Sequence, residues 1–369
     1  MKLTPGFATA EGTARFRARL ESRLPGHFRE VNGLWISTIG LGTYLGDPTP
    51  AFDERYTEAV TRAVALGVNH FDSAINYRHQ RSERSIAAAL HNMFEAGTLR
   101  RDEVILATKG GFLTFDGEEP PDPAAYFHEK LVATGLVQPE EVAAGCHVMS
   151  PRYLENQIDQ SRQNLGVETI DIYYLHNPET QLGEISRPEF GRRLHAAFEA
   201  LERAVAAGKI RCYGTATWNA YREPPDSRES LSLAEVLRAA EEAGGKDHHF
   251  RAVQLPFNLA MPEALAAQTQ SWDARPASFL ELARVHHLMV FASASIMQGH
   301  LAQGLPADFR RFFPGLSTDA QCALQFVRST PGITCALVGM SRREHVEENL
   351  ATARVAPLSV GDFHRLFTK

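Results

Sequence analysis

Four side chains that together could protonate a carbonyl oxygen stand at the ends of apolar, β-like runs: Asp72 and Tyr77 in HFDSAINYRHQRSE, Lys109 in VILATKGG and His176 in DIYYLHNPE. A tyrosine phenol ordinarily titrates near about 10, so alone it is a sluggish acid at neutral pH. An ammonium within reach stabilises the phenolate and brings proton transfer closer to working pH. A carboxylate keeps that ammonium charged and oriented, and an imidazole N–H can stabilise the developing oxyanion. The set holds no reductant, so a hydride must come from a bound cofactor. Singly, Asp72 could cap a turn, Lys109 could be a surface lysine and His176 a bonded core histidine. Keeping all four on one rim for packing alone is costly.

Such a rim requires strands that end side by side. The strand candidates are residues 37–43, 68–72, 103–109, 169–176, 209–216, 251–257, 287–293 and 334–339. Most are continuous apolar runs, as expected where both faces of a parallel sheet are covered. Between them lie helical stripes: Tyr56, Ala59, Val60, Ala63 and Val64 form one, and Ile86, Ala89, Leu90, Met93 and Phe94 another, with Gly67 and Gly97 as C-terminal caps. Eight strands alternating with helices predict a single α/β domain over residues 1–369, a (β/α)8 TIM barrel. An open doubly wound sheet is the alternative, but no G-x-G-x-x-G follows the first strand. Three long segments, 111–149, 258–275 and 294–316, leave the carboxyl ends of strands, where barrel sites are built. The first, an insertion after strand 3, is expected to wall the pocket. Residues 1–30 read as a helical extension covering the barrel or a neighbour.

The composition narrows the partners. With 369 residues, 44% hydrophobic, the chain can bury a large core, and a formal charge of -6 without a long basic run argues against nucleic acid and anionic membranes. No window approaches the roughly 20 apolar residues of a membrane span. Cys146, Cys212, Cys322 and Cys335 contain no C-x-x-C pair, and three lie in or beside apolar segments, which fits a reducing, cytoplasmic setting. The adjacent pairs His248/His249 and His286/His287 lack the i, i+4 spacing of a zinc site, so no metal is expected. A small-molecule partner remains, a homo-oligomer is left open, and the sequence does not set the oligomeric state.

Over nearly all of residues 32–352 the chain resembles the aldo-keto reductase family. GLGTYLG (40–46) is similar to the family's opening strand, HFDSAINY with RSE (81–83) to its aspartate and tyrosine segment, VILATKG to its lysine strand and IDIYYLHNPE to its histidine strand. The resemblance implies a (β/α)8 barrel, NADP(H) as cofactor, and hydride transfer between NADPH and an aldehyde or ketone, reversibly an alcohol, with Tyr77 as proton donor. It also implies cofactor contacts. Gln254 would meet the nicotinamide carboxamide, Glu348 and Asn349 the adenine, and the MQGHL run with Gly299 the pyrophosphate. Beyond Gly339, a helix starting near Ser341 would aim its free N–H groups at phosphate, with Arg342 or Arg343 on a 2′-phosphate.

The chain departs from the family pattern in three places. GTATW puts Ala216 where a serine would bind the carboxamide, leaving Thr215 or Thr217 as substitutes; ASASIM places Ser293 and Ser295 around the expected serine; and His345 replaces a common arginine. Each such change removes about 0.5–1.5 kcal/mol of hydrogen bonding if uncompensated. Those losses keep a second reading open, a cofactor-binding regulatory or redox-sensing subunit of slow turnover. Schiff-base chemistry at Lys109 is a third, but RAVQLPF lacks the lysine that many such barrels carry on the sixth strand. Tyr44, Phe112 and Trp218 are expected to line the substrate pocket, and their rings suit a flat apolar carbonyl compound or a sugar equally.

Overall fold

Each of the eight expected strands forms, and each ends within a residue or so of its expected limit. In the computed structural model, which describes residues 3–273 and 275–368, two short strands come first, β1 (Phe28–Val31) and β2 (Leu34–Ser37). The strands β3 (Ile39–Gly42), β4 (His70–Asp72), β5 (Ile105–Gly110), β6 (Ile170–His176), β7 (Ile210–Ala216) and β8 (Phe250–Pro256) then run in sequence. An antiparallel pair, β9 (Gln270–Trp272) and β10 (Arg275–Ala277), interrupts before β11 (Met289–Ser293) and β12 (Cys335–Gly339). Strands β3 to β8, β11 and β12 close into one parallel barrel, with β12 against β3. The (β/α)8 expectation is met.

Both helical stripes face this barrel. In the helix Pro50–Ala65, Tyr56, Ala59, Val60, Ala63 and Val64 are all buried, and in Arg81–Glu95 the buried apolar face is Ile86, Ala89 and Leu90, with Met93 and Phe94 partly covered. Gly67 and Gly97 follow these helices with positive φ, as C-terminal caps should. The barrel interior holds Ile105, Ala107, Ile172, Tyr174, Ala252, Met289, Phe291 and Leu337.

Two expectations need correction. Residues 1–30 are only partly helical: the helix covers Ala10–Ala18, and the chain then enters the β1–β2 hairpin. Its two-residue turn, Asn32 and Gly33, has φ of 51° and 77°, the positive-φ geometry that matches strand twist and that Asn-Gly supplies at low strain. The hairpin closes the amino end of the barrel, where Ile36 and Ala8 pack onto the interior residues. The 111–149 insertion does not wall the pocket along its length. Phe112 alone of it lines the cleft among the described residues, while Val137 and Val148 join Tyr153, Leu113, Leu131, Leu136 and Val142 in a satellite core. Burying its own apolar side chains draws the segment away from the opening. The cleft is walled instead by the segment after β11, through Ala294, Ser295, Ile296, Gln298, Gly299 and Ala302.

Candidate active site

Parallel pairing sets three of the four expected groups on one rim, and Tyr77 follows in the turn between β4 and the helix Arg81–Glu95. Asp72 lies opposite Gly42 and Ala107, Lys109 opposite Tyr174, and His176 opposite Ala216, at the carboxyl ends of neighbouring strands. Lys109 is fully buried, and its Nζ donates to Asp72 Oδ2 at 2.6 Å and to the Ser73 carbonyl at 2.7 Å. The ammonium sits 4.9 Å from the centre of the Tyr77 ring. Asp72 also accepts from Gln254 Nε2 at 2.7 Å, so both carboxylate oxygens are engaged. The structure therefore brings carboxylate, ammonium and phenol into contact, with the His176 ring 5.8 Å from the Tyr77 ring, edge to face.

Burial and charge pull these groups in opposite directions. Burial works against the Lys109 ammonium, but Asp72 and Tyr77 together outweigh it and hold its pKa above the ordinary value. Burial raises the Tyr77 phenol, and Lys109 only partly offsets the rise. The phenol therefore keeps its proton throughout the neutral range. His176 is held well below its ordinary pKa, first by burial and then by the Lys109 charge, so its imidazole is neutral. Its Nδ1 is buried without a partner. The other ring nitrogen is left to meet a ligand in the cleft that His176 lines.

Supporting groups that sequence reasoning did not find fix this rim from behind. His147, in the insertion, contacts the His176 carbonyl through Nε2 at 2.7 Å, while its Nδ1 lies 2.9 Å from Gln181 Nε2. Gln181 can only donate there, so the His147 proton resides on Nε2 and is donated to His176. The close approach needs Gly111, whose φ is +134° and where a Cβ would come 2.9 Å from that nitrogen. Glu83, of the RSE run, is buried behind β5 and accepts from Thr108 at 2.6 Å and Asn164 at 2.8 Å. Burial raises its pKa. Arg78, His79 and Gln80 follow Tyr77 with φ of 50°, 54° and 70°, three consecutive left-handed residues without a glycine. Arg78 braces that turn through the Asp47 and Thr49 carbonyls and Asp53 Oδ1, the last at 2.5 Å. Glu179, three residues beyond His176, is buried, and its Oε1 accepts from the Trp218 N–H at 2.6 Å and the Asn219 N–H at 3.3 Å. Burial pushes its carboxyl from 4.5 up to about 7.

The rim opens into a cleft of about 670 Å³ that passes Tyr44, Phe112 and Trp218, crosses Ser293, Ser295, Gly299 and Gly339, and reaches His345, Glu348 and Asn349. Tyr77, Asp72, His176 and Gln254 line it, whereas Lys109 lies beneath. The two candidate threonines separate: Thr215 is buried against the Tyr221 hydroxyl at 2.8 Å, while Thr217 faces the cleft. The helix expected near Ser341 spans Arg343–Ala351. Ser341, Arg342 and Arg343 stand outside the cleft lining, and Arg343 pairs with Glu347 at 3.1 Å and Glu58 at 3.8 Å. Among the described residues no cluster of histidine, cysteine and acidic side chains could hold a metal, and no helix is long and apolar enough to cross a membrane.

A family model described as the aldo/keto reductase family matches residues 38–223. An uncharacterised oxidoreductase, YqkF of Bacillus subtilis, is 21% identical over 355 residues, 89% of this chain and 90% of that one. A D-threo-aldose 1-dehydrogenase of Pseudomonas is 28% identical over 185 residues, 49% of this chain and 50% of its own. Among solved structures, an aldo/keto reductase from Klebsiella pneumoniae in complex with NADP and acetate superposes with a TM-score of 0.60 at 21% identity, covering 92% of this chain and 94% of that one. The holo form of AKR11C1 from Bacillus halodurans gives 0.61 at 19% identity over 92% and 95%. At these identities the structural likeness is one of fold.

Proposed function

Because this chain belongs to the aldo/keto reductase family, we propose that its cleft binds NADP(H) and that the protein reduces an aldehyde or ketone, with Tyr77 as the proton donor. The observation that carries the reading is the buried Lys109–Asp72 pair, 2.6 Å apart, lying under the Tyr77 ring at the mouth of a cleft long enough for an extended ligand. The lining suits a dinucleotide: Ser293, Gln298 and Asn349 offer side-chain donors along it, Ser295 lies among them with its hydroxyl donated to the Ala292 carbonyl, and Gly299 and Gly339 let a ligand approach the backbone. When bound, the nicotinamide supplies the hydride.

The chain's own residues do the rest. Tyr77 holds the proton that the carbonyl oxygen must receive, and Lys109 stabilises the phenolate left behind. Asp72 anchors Lys109 and, through Gln254, ties the proton-donating group to the residue proposed for the carboxamide. Neutral His176 donates to the same oxygen as charge develops on it. Ser293 and Ser295 flank the path assigned to the pyrophosphate, and Glu348 and Asn349 that of the adenine. Ser341 and Arg342, at the head of the same helix, border the proposed 2′-phosphate, whereas Arg343, the other arginine considered for it, is engaged by Glu347 and Glu58. Thr217 takes the hydroxyl role that Ala216 cannot.

NADPH oxidation with a panel of carbonyl compounds, for wild type and Tyr77→Phe, tests this reading. Turnover in wild type, a fall of 10²-fold or more in the variant and an unchanged NADP+-induced rise in melting temperature are expected. Equal rates in the two proteins would remove Tyr77 from the chemistry. NADP+ binding with no turnover of any carbonyl would favour the cofactor-holding regulatory subunit.

A further inference from the structure

Two carboxamides flank the proposed proton donor and oxyanion donor, and the reaction as derived uses neither. Asn76 directly precedes Tyr77, and Asn177 directly follows His176; both line the cleft. Asn177 is turned into it by a left-handed backbone, φ 43° and ψ 57°, as its N–H donates to the Ala216 carbonyl at 2.6 Å. Asparagine tolerates that conformation better than most residues, but the turn still has to be maintained. The Oδ1 of Asn76 is buried with no hydrogen-bond partner. Nothing on the protein therefore fixes which end of that carboxamide faces the cleft, and a half-turn about its last side-chain torsion exchanges donor for acceptor.

The charges nearby rule out the simplest alternative. Among the described residues, no lysine or arginine lines the cleft. Lys109 beneath it is held by Asp72 and Ser73, and His176 is neutral. A substrate carboxylate or phosphate beside the carbonyl would find no free cation. A purely apolar neighbour would instead leave two carboxamides shut away from water and unpaired. A hydroxyl donates and accepts at once, so it satisfies either end of a carboxamide. Tyr44 and Trp218, 58% and 45% exposed at the rim, add aromatic faces against which C–H groups can lie.

Resting on the carbonyl-reducing reading of this same site, we propose that the substrate is a neutral hydroxylated carbonyl compound, with Asn76 and Asn177 binding hydroxyls on the first two carbons from the carbonyl. Stripping those hydroxyls leaves the carboxamides unpaired in the bound state, and the loss appears in kcat/KM.

The test compares glyceraldehyde with propanal as substrates of NADPH oxidation, each rate referred to the free aldehyde present, in wild type, Asn76→Leu and Asn177→Leu. In wild type, kcat/KM for glyceraldehyde is expected to exceed that for propanal by on the order of tenfold or more. Each substitution is expected to lower that ratio by about tenfold, and the ratio cancels any general loss of activity. If wild type turns over propanal as well as glyceraldehyde, or if neither variant changes the ratio, the proposal is overturned while carbonyl reduction stands. Should a variant fail to fold, the wild-type ratio still decides. No turnover of any aldehyde despite NADP+ binding would sink the functional reading itself, and this proposal with it.

Discussion

The two ends of the cleft handle charge in opposite ways. At the carbonyl end, Asp72 and Lys109 are buried, and every polar atom of the pair has a protein partner. At the far end, Arg342, Arg343, Glu344 and His345 stand exposed on and around the first turn of the helix Arg343–Ala351. Groups of the first kind act as a unit, because removing one leaves another buried and uncompensated. Groups of the second kind are solvated with or without a partner, so each should be dispensable.

The largest effect should come from splitting the buried pair. Lys109→Met is expected to lower kcat by about 10²–10⁴-fold, since the phenolate loses its stabilising charge. It should also destabilise the fold by about 3–5 kcal/mol, because Asp72 is left buried without its counter-ion. The double variant Asp72→Asn/Lys109→Met removes both charges and should recover most of that stability without recovering turnover. Urea denaturation beside steady-state kinetics makes the measurement. A double variant no more stable than the single one would mean that the two residues are not a unit, and the contrast between the ends would fail.

Glu179 offers a smaller effect of known sign. Its carboxyl titrates at about 7 in the folded protein against an ordinary 4.5. Between these values the folded state holds more protons than the unfolded one, so stability falls as pH rises from 4.5 towards 7 and levels off above it. The difference of about 2.5 pH units corresponds to a penalty of ~3 kcal/mol at most. Glu179→Gln keeps an oxygen for the Trp218 and Asn219 N–H groups and removes the charge. It should therefore match wild type below pH 4.5 and be the more stable protein at pH 8. Equal stabilities at pH 8 would show that the carboxylate is better solvated than its burial implies.

The same contrast explains what the sequence made legible. Asp72, Lys109 and His176 are visible because each is a polar residue closing an apolar run, and parallel strands end together; the expected limits, such as 287–293 for Met289–Ser293, err mainly at the amino ends. The N-terminal hairpin left a signal, Asn32-Gly33 after EV and before LWIS, that a helical reading of residues 1–30 passes over. His147 and Glu179 left none, since each acts on a backbone group 29 or 39 positions away. The left-handed turn after Tyr77 was also silent, because it is held by Arg78 rather than marked by glycine. At the far end, the resemblance singled out Arg342 and Arg343 by their place at a helix start, and residue type alone does not tell which carboxylates will compete for them.

Arg343 shows how that competition can be measured. Its guanidinium pairs with Glu347 one turn along the helix and approaches Glu58 across from it, and its pKa is raised through Glu347 foremost. To meet a 2′-phosphate it would have to exchange one solvated anion for another, which gains little. Arg343→Ala is therefore expected to change the NADP+ dissociation constant by less than about threefold and to leave the ratio of NADP+ to NAD+ affinity nearly unchanged, as read by titration calorimetry at fixed salt. A loss of tenfold or more confined to NADP+ would mean that the arginine leaves Glu347 when the cofactor binds. The far end would then also work as a coupled set, assembled by its ligand where the carbonyl end is assembled by the fold.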